Sequence, residues 1–165
     1  MVSTAIIILL LVALDRASKI FAAALLAGKG TVEILPGVLG LYLLEGGNTG
    51  AAFGMFRGST LILILLTAVV LIGILYCLFC REFSSKLMKA AAMLVAAGGV
   101  GNLYDRIVYG YVTDFFRFLF MEFPIFNVAD CFVTVGAALV VLYVLIAPKD
   151  EPLFKSRARN DKTDG

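Results

Sequence analysis

Four stretches of the chain are apolar over lengths that suit membrane-spanning helices. A span needs about 20 mostly apolar residues. The first stretch contains Asp15, Arg16 and Lys19, and it can still cross a bilayer if these side chains face other helices. The pattern predicts a bundle of four transmembrane helices, at about residues 3–25, 58–80, 87–104 and 130–148.

The connection between the first two predicted helices has a different pattern. Thr31–Leu35 and Leu39–Glu45 are rich in Val, Ile, Leu and Tyr, and Pro36-Gly37 separates them. Such runs around a turn signal favour short strands. We expect a small β-rich segment at about 31–57, and a hydrophobic hairpin from Phe115 to Phe126 that turns the chain back into the last span.

Lysine and arginine predict the orientation, because basic residues prefer the cytoplasmic side of a membrane. Four spans put both termini on the side that carries more basic residues, so we expect both termini in the cytoplasm and the longer connections outside. A cleaved signal peptide is the alternative for the first stretch, but a positive n-region and an Ala-x-Ala site before the charges are missing. The cytoplasmic set has eight members and the outer set four: Arg81, Lys86, Lys89, Lys149, Lys155, Arg157, Arg159 and Lys162, against Lys29, Arg57, Arg106 and Arg117.

The composition supports a single membrane domain at 1–148 and excludes several functions. Hydrophobic residues make up 61% of the 165 residues and charged residues 16%, with a mean hydropathy of +0.99. A soluble domain of this size cannot bury that much apolar surface. Histidine is absent, which excludes Ser-His-Asp triads and histidine-ligated zinc. A net charge of +2 gives no sign of nucleic-acid binding. Residues 149–165 mix charges with few apolar residues, so we expect a disordered tail.

Polar residues gather at the predicted outer ends of the spans, where each is costly and needs a reason. Individually they have structural explanations: Asn127 and Asp130 have the spacing of a helix cap, and Asp15 and Lys19 the i,i+4 spacing of an ion pair. Asp105 and Arg106 could pair with each other. All of them on one face favour an active site. The clusters are Asp15–Lys19, Asn48–Phe53, Gly101–Arg106, Val112–Phe115 and Phe126–Asp130.

Carboxylates are the acid–base groups available to such a site. Two close carboxyl groups share one proton, so that the ionised member can activate a water and the protonated member can polarise a carbonyl. Asp114 and Asp130 are the best-placed pair, since one precedes the hydrophobic hairpin and the other starts the next span. The division of roles between Asp105 and Asp114 stays open at this point.

Three other motifs are weaker. Cys77-x-x-Cys80 lies in a continuous apolar helix, which favours packing over redox chemistry. The glycines at 98–101 suit close helix packing better than dinucleotide binding. Ser18 and Lys19 are adjacent on a helix and point in different directions, which excludes a serine–lysine dyad.

The motifs together resemble a known family. They read Gly98-Gly99-x-Gly101-Asn102-x-x-Asp105-Arg106-x-x-x-Gly110-x-Val112-x-Asp114-Phe115, Phe123-Pro124-x-Phe126-Asn127-x-Ala129-Asp130, Asn48-Thr49-Gly50-Ala51-Ala52-Phe53 and Asp15-x-x-Ser18-Lys19. From about Asp15 to Gly136 the chain resembles the lipoprotein signal peptidases (signal peptidase II). It departs from the family pattern at Arg16, where glutamine is usual, and at Thr113, where valine is usual.

The resemblance implies a bacterial inner-membrane aspartyl endopeptidase with four transmembrane helices and an extracytoplasmic β-cradle. Its substrate would be a membrane-inserted prolipoprotein with a diacylglyceryl cysteine, cleaved just before that cysteine near the outer face. The family needs no metal or other cofactor, and no obligate protein partner is implied beyond substrate and membrane lipids. The implied roles are catalytic for Asp114 and Asp130, substrate-binding for Asn48, Asn102, Arg106 and Asn127, and supporting for Asp15, Lys19 and Asp105.

Two other functional classes remain alternatives. A small proton- or cation-coupled transporter would use Asp15, Asp105 and Asp130 as a relay, but a relay needs acids spread across the bilayer. A structural or assembly subunit would leave the polar clusters without a task, and it predicts that conservative changes at Asn48 and Asn102 are harmless.

Overall fold

The computed structural model describes residues 1–50, 59–148 and 152–155. This part of the chain forms a mainly helical fold with one small sheet. Its elements in chain order are α1 (Val2–Leu26), β1 (Val32–Leu35), β2 (Leu39–Leu41), α2 (Thr60–Cys80), α3 (Lys86–Tyr109), β3 (Phe116–Phe118) and α4 (Val128–Ile146).

Three of the helices are long and apolar enough to cross a membrane: α2, α3 and α4. The 21 residues of α2 contain no charge and would extend for about 32 Å at 1.5 Å per residue. α1 is longer, with 25 residues, but its interior carries Asp15, Arg16 and Lys19. Composition therefore supports three spans directly, and the prediction that α1 also crosses the membrane stays a prediction.

α3 is the centre of the bundle, because it packs against each of the other three helices. Small residues permit this packing. A Cβ atom added to Gly98 would lie 2.3 Å from the carbonyl oxygen of Ala129 on α4, so the two helix backbones approach closely there. Ala96 and Ala97 are fully buried in the adjoining apolar core with Leu71 of α2. The glycines at 98–101 thus serve helix packing, as predicted.

Local signals fix the ends of α3 and α4. The Ser85 side chain accepts a hydrogen bond from the Leu87 N–H at the start of α3, and Gly110 ends that helix in the left-handed conformation with φ 79°. α3 therefore continues five residues past the predicted end at 104. At the start of α4, Asn127 and Asp130 form a reciprocal capping box, as their spacing predicted.

The sheet is antiparallel in the order β1-β2-β3. Pro36-Gly37 lies in the turn between β1 and β2, and Gly37 has φ +69°, a conformation that glycine adopts without strain. The third strand was not expected: Phe116–Phe118 comes from the connection between α3 and α4 and pairs with Leu39–Leu41. The outer segment predicted at 31–57 therefore needs a strand from elsewhere in the chain, and its residues 51–57 lie outside the described residues.

The prediction of a disordered tail is wrong for residues 152–155. The Leu153 carbonyl accepts a hydrogen bond from the Ser84 N–H (3.1 Å), and the Lys155 N–H donates to the Glu82 carbonyl (2.8 Å). This segment, which we call the returning tail, therefore pairs with the α2–α3 connection. The tail contains few apolar residues, but they are sufficient to hold this segment, because Phe154 packs against Phe83. Residues 149–151 and 156–165 lie outside the described residues.

Candidate active site

Backbone pairing beyond the sheet brings Asn48 next to Asp114. The two strands continue past β2 and β3 through hydrogen bonds from the Leu44 N–H to the Asp114 carbonyl (3.2 Å) and from the Asn48 N–H to the Val112 carbonyl (2.8 Å). The side chains then meet, and Asn48 Nδ2 donates to Asp114 Oδ2 at 2.9 Å. The outer connection between α1 and α2 thus contributes Asn48, one of the predicted site residues, to the site.

Asn127 connects both members of the predicted acid pair. Its Nδ2 donates to Asp114 Oδ1 at 2.6 Å, and its backbone N–H donates to Asp130 Oδ2 at 3.0 Å. Its Oδ1 accepts from the Asp130 N–H at 3.0 Å, which is the other half of the capping box. Asn127 is fully buried. The backbone N–H and carbonyl groups of Phe126, the preceding residue, form hydrogen bonds with Phe116. The predicted hairpin therefore positions Asn127 in the site.

Asn102 of α3 orients Asp130 from the other side. Its Nδ2 donates to Asp130 Oδ1 at 2.7 Å, and its Oδ1 accepts from Lys19 Nζ at 3.0 Å and from Asn127 Nδ2 at 3.2 Å. Because the lysine can only donate, it fixes the carbonyl end of the Asn102 amide toward α1. The NH₂ end must then face Asp130.

The supporting residues form a buried ion-pair cluster between α1 and α3. Lys19 Nζ lies 2.9 Å from both Asp15 Oδ2 and Asp105 Oδ2, so the predicted i,i+4 pair is present and has a third member. Asp15 also accepts from the Ala129 N–H of α4 at 2.9 Å. Asp105 pairs with Arg16 as well, instead of with its neighbour in sequence. Buried charges of this kind need such partners to be tolerated.

Arg106 points away from this cluster. Its Nη2 donates to the Gly50 carbonyl at 3.0 Å, and Nη1 lies 3.4 Å from the Asn102 carbonyl. Asp105 and Arg106 therefore do not pair with each other, which was one of the structural explanations that the sequence left open for them. Successive residues on a helix face different directions, and α1 supplies the cations that Asp105 needs. Residues 51–53 of the motif that begins at Asn48 lie outside the described residues.

A cavity of about 460 Å³ brings five of the nine predicted site residues to one surface. The supporting residues Asp15, Lys19 and Asp105 do not line it. Asp105 therefore differs from Asp114 in its position: Asp105 does not line the cavity, and both of its carboxylate oxygens pair with cations behind the cavity wall. The five that line the cavity are Asn48, Asn102, Arg106, Asp114 and Asp130, while Asn127 is buried and contacts both acids.

Burial has a clear electrostatic effect on Asp114. Asp114 is 1% exposed, and the cavity that it lines also contains Phe118, Phe123 and Phe126. Burial, and secondarily the neighbouring charge of Asp130, raises the pKa of Asp114 from 3.8 to about 6. Hydrogen bonds from Asn48 and Asn127 oppose the rise. A carboxyl group with such a pKa can hold and release a proton near neutral pH.

Sequence analysis missed the apolar wall of the cavity. Phe118 and Ile125 line it from the outer hairpin, and Val133 and Thr134 from α4. These residues resemble any other apolar residues of a span, so no signal in one sequence separates them. It also missed the role of Arg16, which pairs with Asp105 and stacks over Tyr104 at 4.7 Å. The available signal in the sequence was that Arg16 stands at a position where the family usually has glutamine.

Comparisons with known proteins identify the family to which the chain belongs. The family profile described as Signal peptidase (SPase) II matches residues 7–146. The lipoprotein signal peptidase of Clostridium novyi is 36% identical over 143 residues, covering 85% of this chain and 95% of the relative. That of Symbiobacterium thermophilum is 39% identical over 140 residues, covering 84% and 91%.

Two solved structures of bacterial membrane enzymes have the same fold. One, determined by the in meso method at 2.3 Å resolution, has a TM-score of 0.80 and 27% identity, covering 95% of this chain and 96% of its own. The other, at 1.9 Å, has a TM-score of 0.78 and 28% identity, covering 90% and 96%. By its fold and apolar helices the protein is a membrane enzyme. The chain belongs to the signal peptidase II family, and it is therefore a peptidase.

Proposed function

We propose that this protein removes the signal peptide from diacylglyceryl-modified bacterial prolipoproteins. It cleaves before the lipidated cysteine with a water molecule activated between Asp114 and Asp130. One observation carries the proposal: Asn127 holds both carboxyl groups through direct hydrogen bonds, on the wall of one cavity. The names of the relatives support the substrate class.

The two acids have different tasks. Asp114 is the more deeply buried of the two and has a pKa of about 6, so it carries the shared proton. Asp130 is the general base, which takes a proton from the water as the oxygen attacks the scissile carbonyl. Asp114 gives its proton to the carbonyl oxygen, which forms a tetrahedral diol. Asp130 then gives its proton to the amide nitrogen while Asp114 takes a proton back from a diol hydroxyl. The C–N bond breaks, both acids return to their starting states, and one water is consumed per peptide bond cleaved.

The other polar residues hold the acids and the substrate. Asn48 and Asn102 each donate to one carboxyl group, which fixes the two acids in position. Arg106 binds a substrate backbone carbonyl, because its Nε is buried at the cavity without a partner in the described residues. The apolar wall accommodates the residues beside the scissile bond. Behind it, the cluster of Lys19 with Asp15 and Asp105 keeps α1, α3 and α4 together.

We further propose that α1 is a fourth span. Its charged residues Asp15 and Lys19 are buried against Asp105, whereas Leu9 and Phe21 on its outer surface are 67% and 65% exposed. A helix with charges inside and apolar side chains outside suits a lipid environment. With four spans, the excess of basic residues puts both termini in the cytoplasm and the active site near the outer face of the bacterial inner membrane.

The transporter alternative lacks comparable support. A relay needs titratable groups at successive depths. The described helices contain three acids, and Asp15, Asp105 and Asp130 all belong to the polar network around Lys19 and Asn102. Proton flux through vesicles without peptidase activity would favour the transporter.

Cleavage of a defined substrate tests the proposal. Purified protein is incubated with a precursor peptide that either carries or lacks the diacylglyceryl group, and products are followed by mass spectrometry. We expect cleavage before the cysteine of the lipidated peptide alone. Asp114→Asn and Asp130→Asn should abolish it, whereas Glu122→Gln, which removes an exposed carboxylate of the same outer segment, should not. Full turnover by either aspartate variant would contradict the mechanism.

A further inference from the structure

A second cavity lies at the opposite end of the helices from the candidate active site. It has a volume of about 840 Å³ and is formed by Met1 and Thr4 at the start of the chain, the end of α2, the α2–α3 connection, the start of α3 and the returning tail. Lys86 precedes Asn102 by 16 residues on α3, which corresponds to about 24 Å along the helix. The cavity is therefore separate from the proposed peptidase site, and the mechanism makes no use of it.

Basic side chains converge on this cavity from three segments. Arg81 comes from the α2–α3 connection, Lys86 and Lys89 from the first turn of α3, and Lys155 from the returning tail. Glu82 is the carboxylate that lines the cavity within the described residues, and Lys155 pairs with it. The described lining therefore has an excess of three positive charges.

Lys86 and Lys89 are in an unusual electrostatic position. Neither forms an ion pair with any residue in 1–50, 59–148 or 152–155. They occupy the first turn of α3, which contains no acidic residue. The free N–H groups at the start of the helix carry a partial positive charge, and this charge repels the ammonium groups of the two lysines. An anion in the cavity would attract both the lysines and the N–H groups and would so offset the repulsion between them.

The returning tail gives the cavity a defined shape. It is held by the two backbone hydrogen bonds to Glu82 and Ser84 and by the packing of Phe154 on Phe83. Arg81 stacks over the Phe154 ring with its Cζ 4.7 Å from the centroid. These contacts fix the backbones that carry Arg81 and Lys155 on one side of the cavity, facing the lysines of α3.

α2 contributes aromatic side chains to the lining of the cavity. Tyr76 and Phe79 of α2 line it, and Tyr76 is 58% exposed. α2 is one of the helices suited to a membrane. The cavity thus combines a basic interior with a wall that continues into the bilayer-facing surface. A signal peptide does not match this combination, because its n-region is itself basic.

We propose that this cavity binds the phosphodiester headgroup of an anionic phospholipid, with the acyl chains along α2. The chemistry required is a phosphate with a net negative charge, which basic pockets between membrane helices recognise. The bound lipid links the α2–α3 connection, the start of α3 and the returning tail at the membrane surface. The proposal goes beyond the peptidase function and does not depend on it.

Lipid binding by the full chain tests the proposal without measuring cleavage. Protein purified in neutral detergent is titrated with phosphatidylglycerol, and complexes are counted by native mass spectrometry. Each basic side chain near an anionic surface contributes about a factor of five in affinity, so the double variant Lys86→Gln/Lys89→Gln should bind about thirtyfold more weakly. The matched control Lys29→Gln/Arg117→Gln removes two cations at the other end of the fold and should change binding less than twofold.

Other arms distinguish the source of the phosphate. Phosphatidylcholine, which has no net charge, should not compete, and neither should inorganic phosphate or soluble glycerophosphoglycerol at the same concentration. Equal binding of phosphatidylcholine would overturn the proposed charge recognition. Equal binding of either soluble compound would overturn the assignment to a lipid.

Thermal unfolding separates binding from folding. In lipid-free neutral detergent the double variant should melt at or above the wild-type temperature, since it removes lysines from a helix N-terminus. With phosphatidylglycerol added, the midpoint should rise for the wild type and not for the variant. A lower midpoint for the variant in lipid-free detergent, or an equal rise for both proteins, would overturn the proposal.

Discussion

Replacing Asp114 by asparagine tests the electrostatics of the proposed active site most directly. The carboxyl group of Asp114 is 1% exposed, and its pKa in the folded protein is about 6, compared with 3.8 for the free group. The folded chain therefore binds a proton more tightly than the unfolded chain does. Stability contributed by this proton is fully present below pH 3.8 and is lost as the pH rises through about 6.

The size of the effect follows from the two pKa values. Each pKa unit corresponds to about 1.36 kcal/mol, so the shift makes the wild-type protein about 3 kcal/mol less stable above pH 7 than below pH 4 through this group alone. Asparagine cannot titrate. It also presents an NH₂ group to the amides of Asn48 or Asn127, but this mismatch costs the same at every pH and cancels when two pH values are compared.

Thermal unfolding of both proteins in detergent, followed by circular dichroism from pH 4 to pH 8, measures this difference. For a chain of this size 1 kcal/mol corresponds to about 2–4 °C. We expect the wild-type midpoint to fall about 6–12 °C more than that of Asp114→Asn over this range. Glu122→Gln, which removes an exposed outer carboxylate, controls for the loss of one acid and should follow the wild type.

Parallel pH profiles of the wild type and Asp114→Asn would refute the reasoning. They would mean that Asp114 titrates alike in the folded and unfolded chains, and the carboxyl group could not then be the one that holds the shared proton. An asparagine variant with the expected stability profile and full peptidase turnover would instead keep the electrostatics and reject the catalytic role.

Four further outcomes follow from the site and the bundle. The kcat/KM of the wild type should fall as the pH rises through about 6, because Asp114 then loses its proton. Asp130→Asn should remove cleavage and also shift the stability profile toward lower pH, since a like charge no longer raises the pKa of Asp114; an unchanged profile would show that the two acids do not interact. Lys19→Met leaves two buried carboxylates without their shared cation and should cost about 3–5 kcal/mol, which denaturant unfolding measures. Gly98→Ala places a Cβ 2.3 Å from a backbone carbonyl of α4 and should lower the stability of the fold by about 1–3 kcal/mol. The control Gly73→Ala, whose Cβ meets nothing within 4 Å, should not destabilise the protein. Equal unfolding midpoints for the two variants would contradict the close packing at Gly98.

The helices and the polar clusters were predictable because both leave strong local signals. The charge-free run of α2 can hardly be anything other than a span, and the spacing of Asn127 and Asp130 is a helix cap in its own right. The physics is local in each case: burial of a continuous apolar run, and satisfaction of free backbone N–H groups.

Contacts between distant segments were not predictable in the same way. β3 pairs with β2 across about half of the chain, and one sequence contains no signal for that register. Asp105 and Arg106 are adjacent in sequence, which left a pairing between them open, whereas helix geometry directs Asp105 toward Lys19 and Arg16 on another helix. Tertiary packing decides such pairings, and local pattern does not.

Asn127 is at once the residue that starts α4 and the residue that joins the two acids. Fraying of a single helical turn would therefore separate the carboxyl groups while the rest of the bundle stayed folded. Heat should thus inactivate the enzyme reversibly at a temperature below that of global melting. We therefore expect the thermal tolerance of the activity to depend on this helix end more than on the strength of the apolar core.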